Sequence, residues 1–309
     1  MLEIVHNKPL SALTTFEIGG PAKHYVEVKT EEEVHDALGW AREHGENFFV
    51  MGGGSNLLIP DAGFDGLVIH IKSDHFGFSS TVLEADAGCN LLSLIRAASE
   101  QGLGGWEKLA GIPGTIGGAV RGNAGAFGPE IKDFLIYAKA LNTKTSENQE
   151  FSSAECEFAY RQSFFKKNPE WIITKVHLSL LGGDASESRQ LIDATIAERE
   201  KRHIQNVRAA GSYFMNPIAP ADIVSLFESE KGVESRGGRV PAGWLIEKAG
   251  MKGARVGDAM SSEQHPNYLV NAGNAKASDV KELAEKIKKS VKEQFGVLLE
   301  EEAVVLLVR

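Results

Sequence analysis

Apolar and polar positions along the chain switch between the period of a strand and the period of a helix. KHYVEV at 23–28 reads as a strand, and the helical stretch after it places Val34, Ala37, Leu38 and Ala41 on one face. Thr30 and Glu33 stand in capping-box spacing at its start, and Gly45 ends it. NFFVMGGGSNLLI, 47–59, is a strand running into a glycine turn, and GLVIHI (66–71) and TVLEADAG (81–88) read as further strands. Asn90 caps a predicted helix that packs Leu91, Leu94, Ile95 and Ala98 inward and stops at Gly102. FLIYAKALN (134–142) and WIITKVHLSLL (171–181) read as strands, and 187–203 as a helix. A Gly- and Pro-marked region covers about 211–266, followed by a strand-like HPNYLVN at 265–271. Ser278 then precedes a helix built on Val280, Leu283, Ala284, Ile287 and Val291, and GVLLEEEAVVLLV at 296–308 closes the chain as a strand. The pattern predicts an α+β or α/β protein with boundaries near 72 and 204.

Two glycine-rich stretches interrupt these elements. GIPGTIGGAVRGNAGAFG, 111–128, has glycine at 111, 114, 117, 118, 122, 125 and 128. Such density weakens helices and strands, so it marks tight turns or close approach of another molecule to the main chain. A flexible linker is the bland alternative, but Ile112, Ile116, Val120 and Phe127 are interleaved and Ser is absent. The second stretch puts Gly52, Gly53 and Gly54 before Ser55 and Asn56, a sequence suited to an anion-binding nest of backbone N–H groups. Neither stretch carries GxxxxGK[ST], and neither supplies GxGxxG opening a helix. Two separate glycine loops suit an extended dinucleotide clamped along its pyrophosphate, and FAD fits that description.

Arg161 lies in the aromatic run CEFAYRQSFF, an odd place for a permanent cation unless it meets an anion, internal or external. Ser212 follows Gly211, with Asn216 four residues on; a serine so placed is commonly a turn former. Within Glu300, Glu301 and Glu302, strand alternation sends Glu301 to the face opposite the other two. A solvated charge run is the plainer account of all three.

Composition narrows the chemistry. The chain has 309 residues, 42% hydrophobic and 24% charged, enough for two or three domains and with no run long enough to span a membrane. No secretory signal pattern opens it, so the cytoplasm is expected. A net charge of −9 argues against nucleic acid as a partner while allowing a local basic pocket. Cys89 and Cys156 fit no metal or disulfide spacing, the nine histidines are scattered without HExxH, and neither Ser55 nor Ser212 lies in GxSxG. No metal site is expected.

Taken together, seven collinear segments resemble one family closely. They are TTFEIGGPA (14–22), GGGSNLL (52–58), the glycine stretch 111–128, YRQS (160–163), AGSYFMNP (210–217), AGWLIEKAGMKG (242–253) and FGVLLEEEA (295–303). The family is the UDP-N-acetylenolpyruvoylglucosamine reductases, flavoenzymes that complete UDP-N-acetylmuramate for peptidoglycan. The resemblance implies an α+β fold: a two-subdomain FAD-binding fold of the vanillyl-alcohol-oxidase type, over 1–72 and 73–203, and a C-terminal α+β substrate domain over 204–309. It implies non-covalent FAD held by Gly52, Gly53, Gly54, Ser55, Asn56, Gly111, Gly114, Thr115, Gly117, Gly118, Asn123 and Gly125. It further implies NADPH as hydride donor and UDP-N-acetylglucosamine enolpyruvate as substrate, in a ping-pong cycle.

By motif position, the family's catalytic residues carry over to Arg161, Ser212 and Glu302, with Arg161 and Asn216 binding substrate. Arg161 and Glu302 would stabilise enolate-like charge, and Ser212 would protonate C2. Three departures stand out: Met215 where Lys is common, Ala303-Val304 in place of Val-Arg, and a lengthened segment at 218–241. The tyrosine-bearing insertion of one subgroup is absent, so the chain resembles the subgroup without it. Two other readings remain: a related FAD oxidase or dehydrogenase acting on an alcohol or sugar, and a non-catalytic nucleotide-sugar binder. Retention of Arg161, Ser212 and Glu302 together argues against the latter.

Overall fold

Local capping starts the first two long helices where the pattern predicts them. In the computed structural model, which describes residues 2–202 and 207–306, helix Glu31–Glu43 opens on a closed capping box. Thr30 Oγ1 accepts the Glu33 N–H at 3.2 Å, and the Glu33 carboxylate accepts the Thr30 N–H at 3.3 Å. Asn90 Oδ1 likewise accepts the Ser93 N–H at 3.0 Å to start helix Leu91–Glu100.

The chain divides into two compact units, of which the first comprises 1–8, 22–54 and 65–201. One of its sheets orders Val5–Pro9, Pro21–Val28, Phe64–Ile71 and Phe48–Met51, the last two parallel. Val26, Leu38, Leu67 and Ile69 are buried between this sheet and helix Glu31–Glu43. A second, antiparallel sheet orders Asn148–Ser152, Leu135–Asn142, Trp171–Ser179, Val82–Asp86 and Phe76–Ser79. Its buried face packs Leu83, Ala138 and Val176 with Leu94 and Ile95 of helix Leu91–Glu100 and Ile116 and Val120 of the short helix Ile116–Arg121.

The second unit joins 9–21 and 55–64 to 202–309. Helices Ala221–Lys231, Ala242–Lys248 and Ala277–Phe295 enclose a core that includes Trp244, Leu245, Leu283 and Ile287. A small antiparallel sheet of Arg255–Val256, Ala259–Ser261 and Leu269–Asn271 completes it, and Leu57–Leu58 pairs in parallel with Val304–Val305. The boundary expected at 203–204 lies outside the described residues.

Three predicted elements differ. HPNYLVN is a turn followed by a strand confined to Leu269–Asn271, because Pro266 has no N–H to give a ladder. In 296–306 only Val304–Val305 is strand and Glu301 forms a single bridge with Phe214. Val297 and Leu299 are buried while Leu298 is exposed, so the alternation there reports burial and not a full ladder. The C-terminal helix starts at Ala277, one residue before Ser278, and its first donors are taken by a distant side chain. Asp61 carboxylate oxygens accept the Ala277 and Ser278 N–H groups at 2.6 and 3.1 Å.

Candidate active site

In the first unit the two glycine loops abut. A Cβ built on Gly52 would stand 2.7 Å from Thr115 Oγ1, and one on Gly53 would stand 3.0 Å from Gly114 Cα. Their bareness therefore serves a main-chain approach within the protein, with Gly53 exposed and Gly52, Gly114 and Thr115 half-buried where the loops meet. Gly117 is excluded from carrying a side chain by Ala87, whose Cβ would be 2.7 Å away. Donors at the start of helix Ile116–Arg121 are committed internally: Ile116 N–H to Cys89 O, Gly117 N–H to Ala87 O, and Gly118 N–H to Thr115 Oγ1. Gly111 and Gly114 both adopt positive φ, 83° and 120°.

The end of that stretch is pinned to the segment 159–163. Asn123 is fully buried, donating through Nδ2 to Glu130 Oε2 and Ala159 O, both at 3.0 Å, while its Oδ1 accepts the Lys132 N–H. Ser163 Oγ donates to Arg121 O at 2.6 Å, and Arg161 Nη2 donates to Gly125 O at 3.1 Å. Arg161 is the third residue of a tight turn closed by mutual Ala159–Gln162 bonds, with φ +56°. Glycine or asparagine is the low-energy choice there. The Arg161 guanidinium also lies 5.1 Å from the Tyr160 ring centroid.

Behind the first glycine loop sits a polar chain, buried at Tyr25 and His70 and reaching exposed Glu27, that sequence reading missed, since GLVIHI reads simply as a strand. Tyr25 Oη is 2.7 Å from His70 Nδ1 and 2.8 Å from Glu27 Oε1, and the imidazole also bonds to the Gly52 backbone. Burial pushes the His70 ring down to about 4, against the ordinary 6.5, so it is neutral at pH 7. A base depressed in the folded state binds fewer protons than in the unfolded chain, so its contribution to stability is present above 6.5 and is lost as pH falls towards 4. The full effect is on the order of 3 kcal/mol, at about 1.4 kcal/mol per unit. His70→Gln is expected to lose less stability than the parent between pH 7 and 4, measured by urea unfolding; parallel curves would refute the assignment.

In the second unit, Gly211, at φ +72°, leads into half-buried Ser212, then buried Tyr213 and Phe214. Among the described residues no group bonds the Ser212 hydroxyl. The segment pairs with the glutamate run: Glu302 N–H donates to Tyr213 O at 2.8 Å and Met215 N–H to Glu300 O at 2.9 Å. The three glutamates have separate fates. Glu300 is exposed, Glu301 pairs with Lys288 Nζ at 2.8 Å, and Glu302 is half-buried with its main-chain oxygen accepting from Asn56 Nδ2 at 3.0 Å. Ser55 belongs to the same unit, its carbonyl accepting from Thr15 Oγ1 at 3.3 Å. Asn216 Oδ1 accepts the Ala242 N–H at 3.0 Å, at the start of helix Ala242–Lys248, and its carbonyl accepts from Arg239 Nη1 at 2.7 Å.

Cys89 and Cys156 are buried free thiols that burial pushes up to about 11 and about 12, far from nucleophilic. Among the described residues no group of three metal-ligating side chains converges, and no helix is long and apolar enough to cross a membrane.

Comparison with known proteins shows the family. An FAD binding domain model matches residues 22–149, and the model of the UDP-N-acetylenolpyruvoylglucosamine reductase C-terminal domain matches 202–306. The UDP-N-acetylenolpyruvoylglucosamine reductase of Solibacter usitatus is 37% identical, over 97% of this chain and 96% of its own. The chain belongs to the UDP-N-acetylenolpyruvoylglucosamine reductase family. The Pseudomonas putida member is 36% identical over 95% of this chain and 96% of its own. The crystal structure of the Thermus caldophilus reductase superposes with a TM-score of 0.77 at 32% identity, covering 99% of both chains. The α+β fold is therefore that of the reductase family.

Proposed function

We propose that this chain reduces UDP-N-acetylglucosamine enolpyruvate to UDP-N-acetylmuramate with NADPH and FAD, in the cytoplasm, for peptidoglycan precursor synthesis. The observation that carries this reading is the full-length match to reductases of that name, with an FAD-binding module and the reductase C-terminal domain both present. Residues 1–72 and 73–203 are read as the two FAD-binding subdomains, consistent with one sheet on either side of residue 72, and 204–309 as the substrate domain.

The residues present fit FAD. Two abutting loops whose facing positions have no room for a Cβ offer adjoining main chain to an extended diphosphate. Gly52, Gly53, Gly54, Gly111, Gly114, Thr115 and Gly125 are read as its cradle, with Ser55 and Asn56 flanking it. With the N–H groups of Gly117 and Gly118 and the side chain of Asn123 committed internally, these three act by shaping the loop. FAD held there would supply hydride-transfer chemistry between NADPH and the enolpyruvyl group. Arg161 holds the substrate carboxylate so that the double bond behaves as a conjugated acceptor. Glu302 supports the charge that develops, Ser212 delivers the proton to C2, and Asn216 binds substrate.

The purified protein is expected to be yellow, to release its colour into the supernatant on acid precipitation, and to bleach with NADPH without oxygen. Colour should return on adding the enolpyruvyl substrate. Rapid bleaching by an alcohol or sugar with none by NADPH would select the oxidase reading instead, and a protein that takes up no FAD would refute both.

A further inference from the structure

Asn267 sits in the turn between strands Ala259–Ser261 and Leu269–Asn271 and is 2% exposed. Three of its groups bond the residues that follow Ser212. Its carbonyl accepts the Tyr213 N–H at 2.7 Å, its Oδ1 accepts the Phe214 N–H at 2.9 Å, and its Nδ2 donates to Phe214 O at 2.8 Å. A primary amide has the donor and acceptor spacing of a peptide group, so this pair reproduces what a neighbouring strand would supply. On the opposite edge the same segment bonds to Glu300 and Glu302. Residues 213–215 are thus held along both edges, and on one of them the partner is a single residue.

The anchor is itself fixed. Ser261 Oγ donates to Pro266 O at 2.9 Å, Ser262 Oγ accepts the His265 N–H at 3.2 Å, and the Tyr268 N–H donates to His265 O at 2.8 Å. Aromatic burial of Tyr213 and Phe214 holds the segment in the core, but packing is non-directional and leaves peptide rotation free. Directional bonds to Phe214 remove that freedom, two residues from Ser212 and beside the Glu302 main chain.

We propose that Asn267 is a positioning residue, fixing Ser212 and Glu302 in mutual register through the main chain of Tyr213 and Phe214. The inference rests on the assignment of Ser212 as proton donor.

Asn267→Asp tests it through pH. An ionised carboxylate offers two acceptors and no donor, so at pH 8 the Phe214 carbonyl loses its partner and faces negative charge. A protonated carboxyl restores the amide's pattern of one acceptor and one donor, and burial raises the pKa at which this happens. At pH 8 re-oxidation of the NADPH-reduced variant by the enolpyruvyl substrate is expected to be slower than parental by about 10- to 100-fold. Flavin reduction by NADPH should be unchanged, and most of the loss should be recovered towards pH 5, relative to the parent at each pH.

Hydrogen exchange of peptide 212–216 should be fast at pH 8 and approach the parental protection at pH 5. Asn267→Gln, which keeps the amide on a longer arm, should slow re-oxidation at every pH and so tests the same point if the Asp variant does not fold. Parental pH dependence in the Asp variant, or equal loss in both half-reactions for either variant, overturns the proposal. A parent that the substrate does not re-oxidise would instead overturn the functional reading, and this inference with it.

Discussion

Ser212→Ala is expected to bleach with NADPH at nearly the parental rate and then to re-oxidise on the enolpyruvyl substrate slower by about 10² to 10⁴, the cost of losing a positioned general acid. The division follows from the chemistry. Reduction of the flavin needs no proton at C2 of the substrate, whereas the second half-reaction does. Its surroundings suit a proton donor, since Ser212 is half-buried at the end of a glycine turn, on a segment bonded along both edges, and no described residue engages its hydroxyl. A serine hydroxyl is a weak acid, so the rate should also show a solvent isotope effect in the second half-reaction of the parent. Stopped-flow absorbance resolves the two steps. Slow flavin reduction with intact re-oxidation would make Ser212 a turn residue and remove it from the chemistry.

How far the sequence announces these features depends on how local their causes are. Helix Glu31–Glu43 and helix Leu91–Glu100 are legible because cap and apolar face lie within one short window. The cap of helix Ala277–Phe295 is not, because Asp61 arrives from 216 residues away. The same holds for the Asn267 clamp and for the pairing of Tyr25 with His70, whose partners are 53 and 45 residues apart. Glycine density reads as close approach of another molecule, whereas the neighbours that exclude a side chain are the protein's own; at Gly117 it is Ala87. Alternation around Glu301 separates it from its neighbours, while its partner Lys288 comes from the preceding helix. The motif positions of Arg161, Ser212 and Glu302 are visible in sequence, whereas the backbone that presents them is not.

Arg161→Gly is expected to slow substrate-driven re-oxidation by about 10² to 10³, the range for removal of one preorganised electrostatic contact. Effects on stability oppose one another. Glycine relieves a left-handed conformation, φ +56°, that costs a residue with a Cβ about 1–2 kcal/mol. Against this, the variant loses the side-chain contacts of the arginine, among them the bond from Nη2 to Gly125 O and the contact with the Tyr160 ring. A left-handed turn position held by arginine is the strain that the proposed anion-binding role would account for. Arg161→Lys supplies the second arm: it keeps the charge and the backbone strain but loses the planar fork, and should weaken both substrate binding and the second half-reaction. Thermal unfolding, FAD affinity and the two half-reactions are measured on both variants. Loss of FAD with marked destabilisation in Arg161→Gly would show that the bond to Gly125 is the purpose of this side chain, and parental re-oxidation in both variants would take Arg161 out of the reaction altogether.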